Sequence, residues 1–245
     1  MDQIIAAVIG FAQVNGRLPC PAIPTSFGRE LGGGGANCNY YGGFVPFNTL
    51  GFSGRFNLDT LLLDPWGNPY RYYVSDNNVD GGAAPDSDFV TSGEMRRIGL
   101  VDAIDVPGGG VAGTDGYIDL DGQFLICDAA GAATDDLCAG ATEVFGRPNA
   151  AGGPYAGAPF VLLSLGKNWS QTPVGDELEN AGANMTNDAT IGMVLGLSGI
   201  PYRLKNVGGG QTTFVKRPLG LADDFDDIIK WASPNLLFSK MIEAG

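Results

Sequence analysis

The stretch "LLLDPWGNPYRYYVS", Leu61 to Ser75, decides how the rest of the chain is read. Pro65 fixes one φ, Gly67 admits a positive φ, Asn68 offers an Asx-type side-chain bond, and Pro69 bars any helix. Together they spell a tight turn leading into a strand. Beyond it Tyr70, Tyr72 and Val74 alternate with Arg71, Tyr73 and Ser75, the period-two pattern of a half-buried strand.

Upstream, "DQIIAAVIGFAQVN" (Asp2 to Asn15) puts Ile4, Val8 and Phe11 on one stripe, with Ile5, Ile9 and Ala12 beside it. That spacing predicts an amphipathic helix. Asn15-Gly16 gives it a left-handed stop, and Pro19 and Pro21 prevent it from resuming. The helix begins almost at the first residue with no cap beyond Asp2, as if a longer helix had been cut in mid-course.

Downstream the signals are mostly those of strands and loops. Pro19 to Arg55 reads as a long connection containing the aromatic patch "NYYGGFVPF" (Asn39 to Phe47), and Asp76 to Asp88 as an acidic loop. "GYIDLDGQFLIC" (Gly116 to Cys127) places Asp121-Gly122 between alternating runs, a hairpin signal. Its Asp115, Asp119 and Asp121 partly match a calcium loop but lack the full EF-hand pattern. "PFVLLSLG" (Pro159 to Gly166) predicts a central strand buried on both faces. Ile200 to Pro218 reads as a second hairpin with a Gly-rich tip. At the end, Phe225, Ile228, Ile229 and Ala232 fall at helical spacing behind an acidic cluster suited to a helix start. Ser233-Pro234 then looks like the cap and first residue of a short helix carrying Leu237, Met241 and Ile242. The order of elements predicts an α+β fold with a helix laid on an antiparallel sheet.

Composition narrows the function. With 14 basic and 27 acidic residues the net charge is −13, and no basic stripe is present, which argues against nucleic acid as a partner. The chain has no histidine, which excludes Ser-His-Asp and Cys-His catalysis and His-ligated zinc. A carboxylate pair for glycoside hydrolysis cannot be picked out among so many acids. Glycine, at 39 of 245 residues, is about twice the usual ~7%, so loops carry much of the length. The four cysteines form two sequence-local pairs without metal-knuckle spacing. Of three connectivities the favoured one joins Cys20 to Cys38 and Cys127 to Cys138, which implies an oxidising compartment.

Two stretches taken together carry a resemblance. "AAVIGFAQVNGRLPCPA" (Ala6 to Ala22) resembles the segment after the membrane-spanning half-helix of type IV pilin-like proteins. "LDPWGNPYRY" (Leu63 to Tyr72) resembles a motif of the major pseudopilins of type II secretion. "LLSLGKNW" (Leu162 to Trp169) and "DDFDDIIKW" (Asp223 to Trp231) are similar to later elements of that superfamily. The resemblance implies a pilin-like fold in which residues 1–16 are the C-terminal half of a stalk helix and 17–245 a head. In it Asp64, Pro65, Trp66, Gly67 and Asn68 would form a structural turn with no catalytic role, Trp66 packing on the helix or sheet. Ile4, Ile5, Val8, Ile9 and Phe11 would hold the head to the stalk in an assembly. A cleaved leader and a hydrophobic half-helix of about 20 residues, anchoring the protein in the inner membrane, would precede this segment. The implied protein is not an enzyme but a minor pilin or minor pseudopilin, periplasmic or at the cell surface, whose partners are other subunits. A tip adhesin of the same fold, binding a surface or secreted substrate through its loops, is the alternative. Calcium is the one cofactor implied, with Asp223, Asp224 and Asp226 inheriting the role, although the family's ligand spacing is not reproduced cleanly.

Overall fold

The first helix, α1 (Asp2–Asn15), covers the span that its apolar spacing predicts, and its stop is Gly16, at φ 66°, whose N–H bonds Ala12 O at 2.8 Å. We analysed a computed structural model that describes residues 1–32, 37–76, 89–93, 95, 122–129, 138, 142–146, 157–167, 180, 193–195, 201–205, 207, 212–217 and 226–244. After α1 come β1 (Gly42–Phe44), β2 (Arg71–Val74), β3 (Phe124–Cys127), β4 (Glu143–Phe145), β5 (Phe160–Ser164), β6 (Met193–Leu195), β7 (Pro201–Arg203), β8 (Thr212–Val215), β9 (Ile228–Trp231) and helix α2 (Pro234–Glu243). The fold is α+β.

The main sheet is antiparallel throughout, in the order β1-β2-β5-β9. Its middle strands are buried on both faces, as the apolar run of β5 predicts. Alternation sorts their side chains into two cores. Tyr72, Val74, Phe160 and Leu162 join Ile4, Val8, Ile9 and Ala12 of α1 and Leu237 of α2 on one side. Tyr73, Val161, Leu163 and Ile229 join Phe124, Ile126 and Phe214 on the other. The half-buried reading of β2 is therefore corrected: a second sheet, ordered β4-β3-β8, covers the face that the sequence left to solvent. That sheet is mixed, with β3 antiparallel to β4 and parallel to β8.

Two other expectations change. The hairpin expected across Ile200 to Pro218 is replaced by two separate pairings, β7 with β6 and β8 with β3. The helix expected around Ile228 and Ile229 is instead strand β9, where register with Val161 to Ser164 overrides the helical spacing. The other half of the Asp121-Gly122 hairpin, with Asp115, Asp119 and Asp121, lies outside the described residues.

Local chemistry secures the ends. The hydroxyl of Ser233 caps α2 by accepting from Leu236 N at 3.2 Å, with Pro234 in the first turn. Gln13 Nε2 of α1 donates to Lys240 O of α2 at 2.7 Å. Past α1, buried Arg17 forms a two-pronged pair with Glu30 at 2.8 Å and stacks over Phe11 at 5.0 Å. The disulfides join Cys20 to Cys38 and Cys127 to Cys138, with Cα separations of 5.4 and 5.6 Å. The first staples the stretch after α1, where the Tyr72 hydroxyl also donates to Pro19 O at 3.0 Å.

Burial raises the pKa of both Tyr72 and Tyr73, Tyr72 well above the usual phenol value. A phenol whose folded pKa is raised contributes stability fully present below its unfolded value of about 10 and lost as pH climbs past it. Two of the eight tyrosines should therefore ionise only as the protein unfolds. A tyrosinate absorbance titration run beside circular dichroism checks this, and smooth ionisation of all eight in folded protein would refute it.

Candidate functional site

The turn after Leu63 is built around one carboxylate. Asp64 Oδ1 accepts from Trp66 N at 2.9 Å and Asn68 N at 2.8 Å, while Oδ2 accepts from the hydroxyl of Ser164 at 2.5 Å. The backbone closes through Gly67 N to Asp64 O at 3.1 Å and Asp64 N to Asn68 O at 2.8 Å. Gly67 supplies φ 93°, which a side chain would resist. Asn68 Nδ2 donates to Gly166 O. Asp64, Asn68 and Ser164 are all buried. Five consecutive residues thus lock onto the far end of β5. Trp66 is 45% exposed and so is not a buried anchor of the corner. Its backbone N–H, and not its ring, serves the turn.

Beside this corner lies a second buried polar group. Arg71, fully enclosed in β2, has its pKa lowered by burial, opposed by the fields of Tyr73, Asp227 and Asp64. Asp227 Oδ2 accepts from Asn180 Nδ2 at 2.9 Å. Asn180 also bonds the backbone of Val215 in β8, donating to its O at 2.9 Å and accepting from its N at 2.8 Å. The chain of contacts spans from the main sheet to the second. Nothing in sequence order links Asp64 with Ser164, or Asp227 with Asn180. The one local hint was an arginine amid aromatic strand residues, a charge that must find carboxylates if it is buried.

The residues assigned to an assembly helix divide between two roles. Ile4, Val8 and Ile9 are buried in the core, while Ile5 and Phe11 are half-buried at its margin. The opposite face carries Gln3, Ala6, Ala7, Gly10 and Val14. A Cβ added at Gly10 would meet nothing within 4 Å, and Val14 is 75% exposed.

Of the acidic cluster, Asp223 and Asp224 lie outside the described residues. One oxygen of Asp226, Oδ2, already accepts from the backbone N–H of Lys167. Its carboxylate is packed so closely on Gly166 that a Cβ there would fall 2.3 Å from Asp226 Cγ. Among the described residues no group of three or more His, Cys, Asp or Glu is placed to hold a metal ion. Among them too, no helix is long and apolar enough to cross a membrane.

What the corner offers is rigid positioning; every polar atom of Asp64 is committed to holding the turn. Compared with known proteins, the chain matches no family model, no curated protein and no solved structure.

Replacing Asp64 with alanine leaves two backbone N–H groups and the Ser164 hydroxyl without their acceptor, at a cost of about 3 kcal/mol and a Tm lower by about 10 °C. Trp66→Ala should cost less, about 1–2 kcal/mol, because its ring is 45% exposed and only part of its area leaves water. Thermal melts of both variants test the assignment; equal losses would mean that the ring, not the carboxylate, holds the corner.

Proposed function

We propose that this chain is a non-enzymatic structural subunit, a minor pilin or minor pseudopilin of a type IV pilus or type II secretion pseudopilus, that assembles through α1. The observation that carries the reading is the division of labour on that helix. Its apolar stripe is consumed by the sheet, and the opposite face, from Gln3 to Val14, is uncharged, small and open. Such a surface admits a second helix at close range. The two disulfides support an oxidising site of residence, periplasm or cell surface, and the charge of −13 disfavours nucleic acid. Other subunits are the partners on this reading, and the resemblance places a membrane half-helix before α1. A tip module that binds a surface or secreted substrate is the alternative, favoured by the exposed aromatic residues of the loop before β2.

Gly10→Glu tests the reading, since the position has room for a side chain and a helix interior gains about 0.5–1 kcal/mol when glycine is replaced by a better helix former. The variant should melt at or above the wild-type temperature. Expressed in the native cells, it should be lost several-fold from the filament fraction. Undiminished incorporation would sink the proposal.

A further inference from the structure

The segment 52–69 buries carboxylates and exposes part of its apolar surface. Its acidic and amide side chains point inward: Asp59, Asp64 and Asn68 are buried, and the Tyr202 hydroxyl donates to Asp59 Oδ2 while accepting from Asn57 Nδ2 at 2.7 Å. While Leu61 and Leu62 pack into the core, three large apolar side chains face outward: Phe56 is 37% exposed, Leu58 87% and Trp66 45%. This is no slack loop. Leu63 N bonds Arg55 O at 2.9 Å, Asn57 N bonds Leu61 O at 3.2 Å, Tyr70 N bonds Leu62 O at 3.0 Å, and the Phe56 ring lies 4.2 Å from that of Phe47. A rigid segment that exposes large apolar side chains presents an interaction surface.

Charge says what that surface fits. The segment holds three charged residues, Arg55, Asp59 and Asp64, and only Arg55 is exposed. No ion pair occupies it among the described residues, and its guanidinium lies beside the Gly67 turn. On a chain of net charge −13 this is an apolar face with an uncompensated cation. The complementary feature is on the same chain. Strand β4, an outer strand of the second sheet, exposes Glu143 without an ion-pair partner among the described residues, next to Val144, 43% exposed.

The two surfaces are anchored differently on the main sheet: the loop is held at β1 through Tyr202 and at the end of β5 through Ser164, and β4 is held on β9. Tyr202, which anchors the loop, packs its ring 5.3 Å from Phe44 of β1, whereas Phe145 of β4 packs 5.8 Å from Trp231 of β9. We propose that the Arg55, Phe56, Leu58 and Trp66 surface docks on the Glu143–Val144 edge of a second copy of this chain, a head-to-tail contact between two different surfaces. It rests on the subunit reading only for a supply of neighbouring copies in the cell. The contact itself is read on the isolated chain, so either idea can fail alone.

Sedimentation velocity of the chain at low ionic strength, up to about 1 mM, is the test. Wild type should show a weight-average size that keeps rising with concentration. Arg55→Glu and Glu143→Arg, both at exposed positions and expected to melt like wild type, should each lower the association constant about tenfold or more through like-charge contact. An equimolar mixture of the two should recover wild-type association, because each variant then meets its opposite charge on the other. Leu58→Ser should weaken association without any rescue by mixing. A wild type that stays monomeric throughout overturns self-docking and hands the surface to a different partner. Association that survives both reversals, or a mixture that does not recover, overturns the assigned pairing.

Discussion

The ladder between β2 and β5 is the constraint from which the rest follows. Four register pairs, from Arg71 with Leu163 to Val74 with Phe160, join strands whose side chains are buried on both sides. A sheet buried on both faces needs two covers, and the chain supplies different ones. The helices α1 and α2 cover the Tyr72 and Phe160 side, and the mixed second sheet covers the Tyr73 and Leu163 side. Without either layer, aromatic and aliphatic area worth about 1.5–3 kcal/mol per large side chain would return to water.

Register in such a ladder tolerates no slip. Moving β2 by one residue would exchange Tyr72 with Tyr73 and drive Arg71 toward the helix side, away from Asp227 and Asp64. It would also pull Asp64 off the Ser164 hydroxyl, which sits at the end of β5. Buried polar pairs contribute little net stability against an apolar replacement, yet losing one partner is costly because the other stays desolvated. In this fold the asymmetry works as a register lock: the hydrophobic ladder supplies the driving force, and the Asp64 and Arg71 contacts select one alignment of it.

Which parts were legible in the sequence follows from the range of the forces. The span of α1 and its Gly16 stop, the capped α2, both disulfides and the buried β5 arise from local spacing or short loops, and the structure has them as read. Strand β9 was not legible, because Ile228, Ile229 and Trp231 suit a short helix as well as a strand until β5 provides a partner. The parallel pairing of β3 with β8 joins residues far apart in sequence, and no turn signal marks it. At the corner, the turn chemistry of Asp64, Gly67 and Asn68 was visible, but its anchor at Ser164 was not, being 100 residues away. Trp66 misled for a related reason. Its size suggested burial, whereas the turn's hydrogen bond comes from its backbone N–H and the ring is left 45% exposed.

That outward ring belongs to a wider pattern with a cost. A segment that hides carboxylates and shows Phe56, Leu58 and Trp66 works partly against the hydrophobic effect, and its buried carboxylates need hydrogen-bond partners to stay inside. They are held at both ends: Asp59 and Asn57 by Tyr202, which itself packs on Phe44, and Asp64 by Ser164 of the central strand. Both anchors trace back to the main sheet, whose stability comes from its two cores. The loop's mixed polarity is thus underwritten by the most buried part of the molecule. This is the arrangement a surface needs if its apolar side chains are to stay presented to a partner and not collapse onto their own chain.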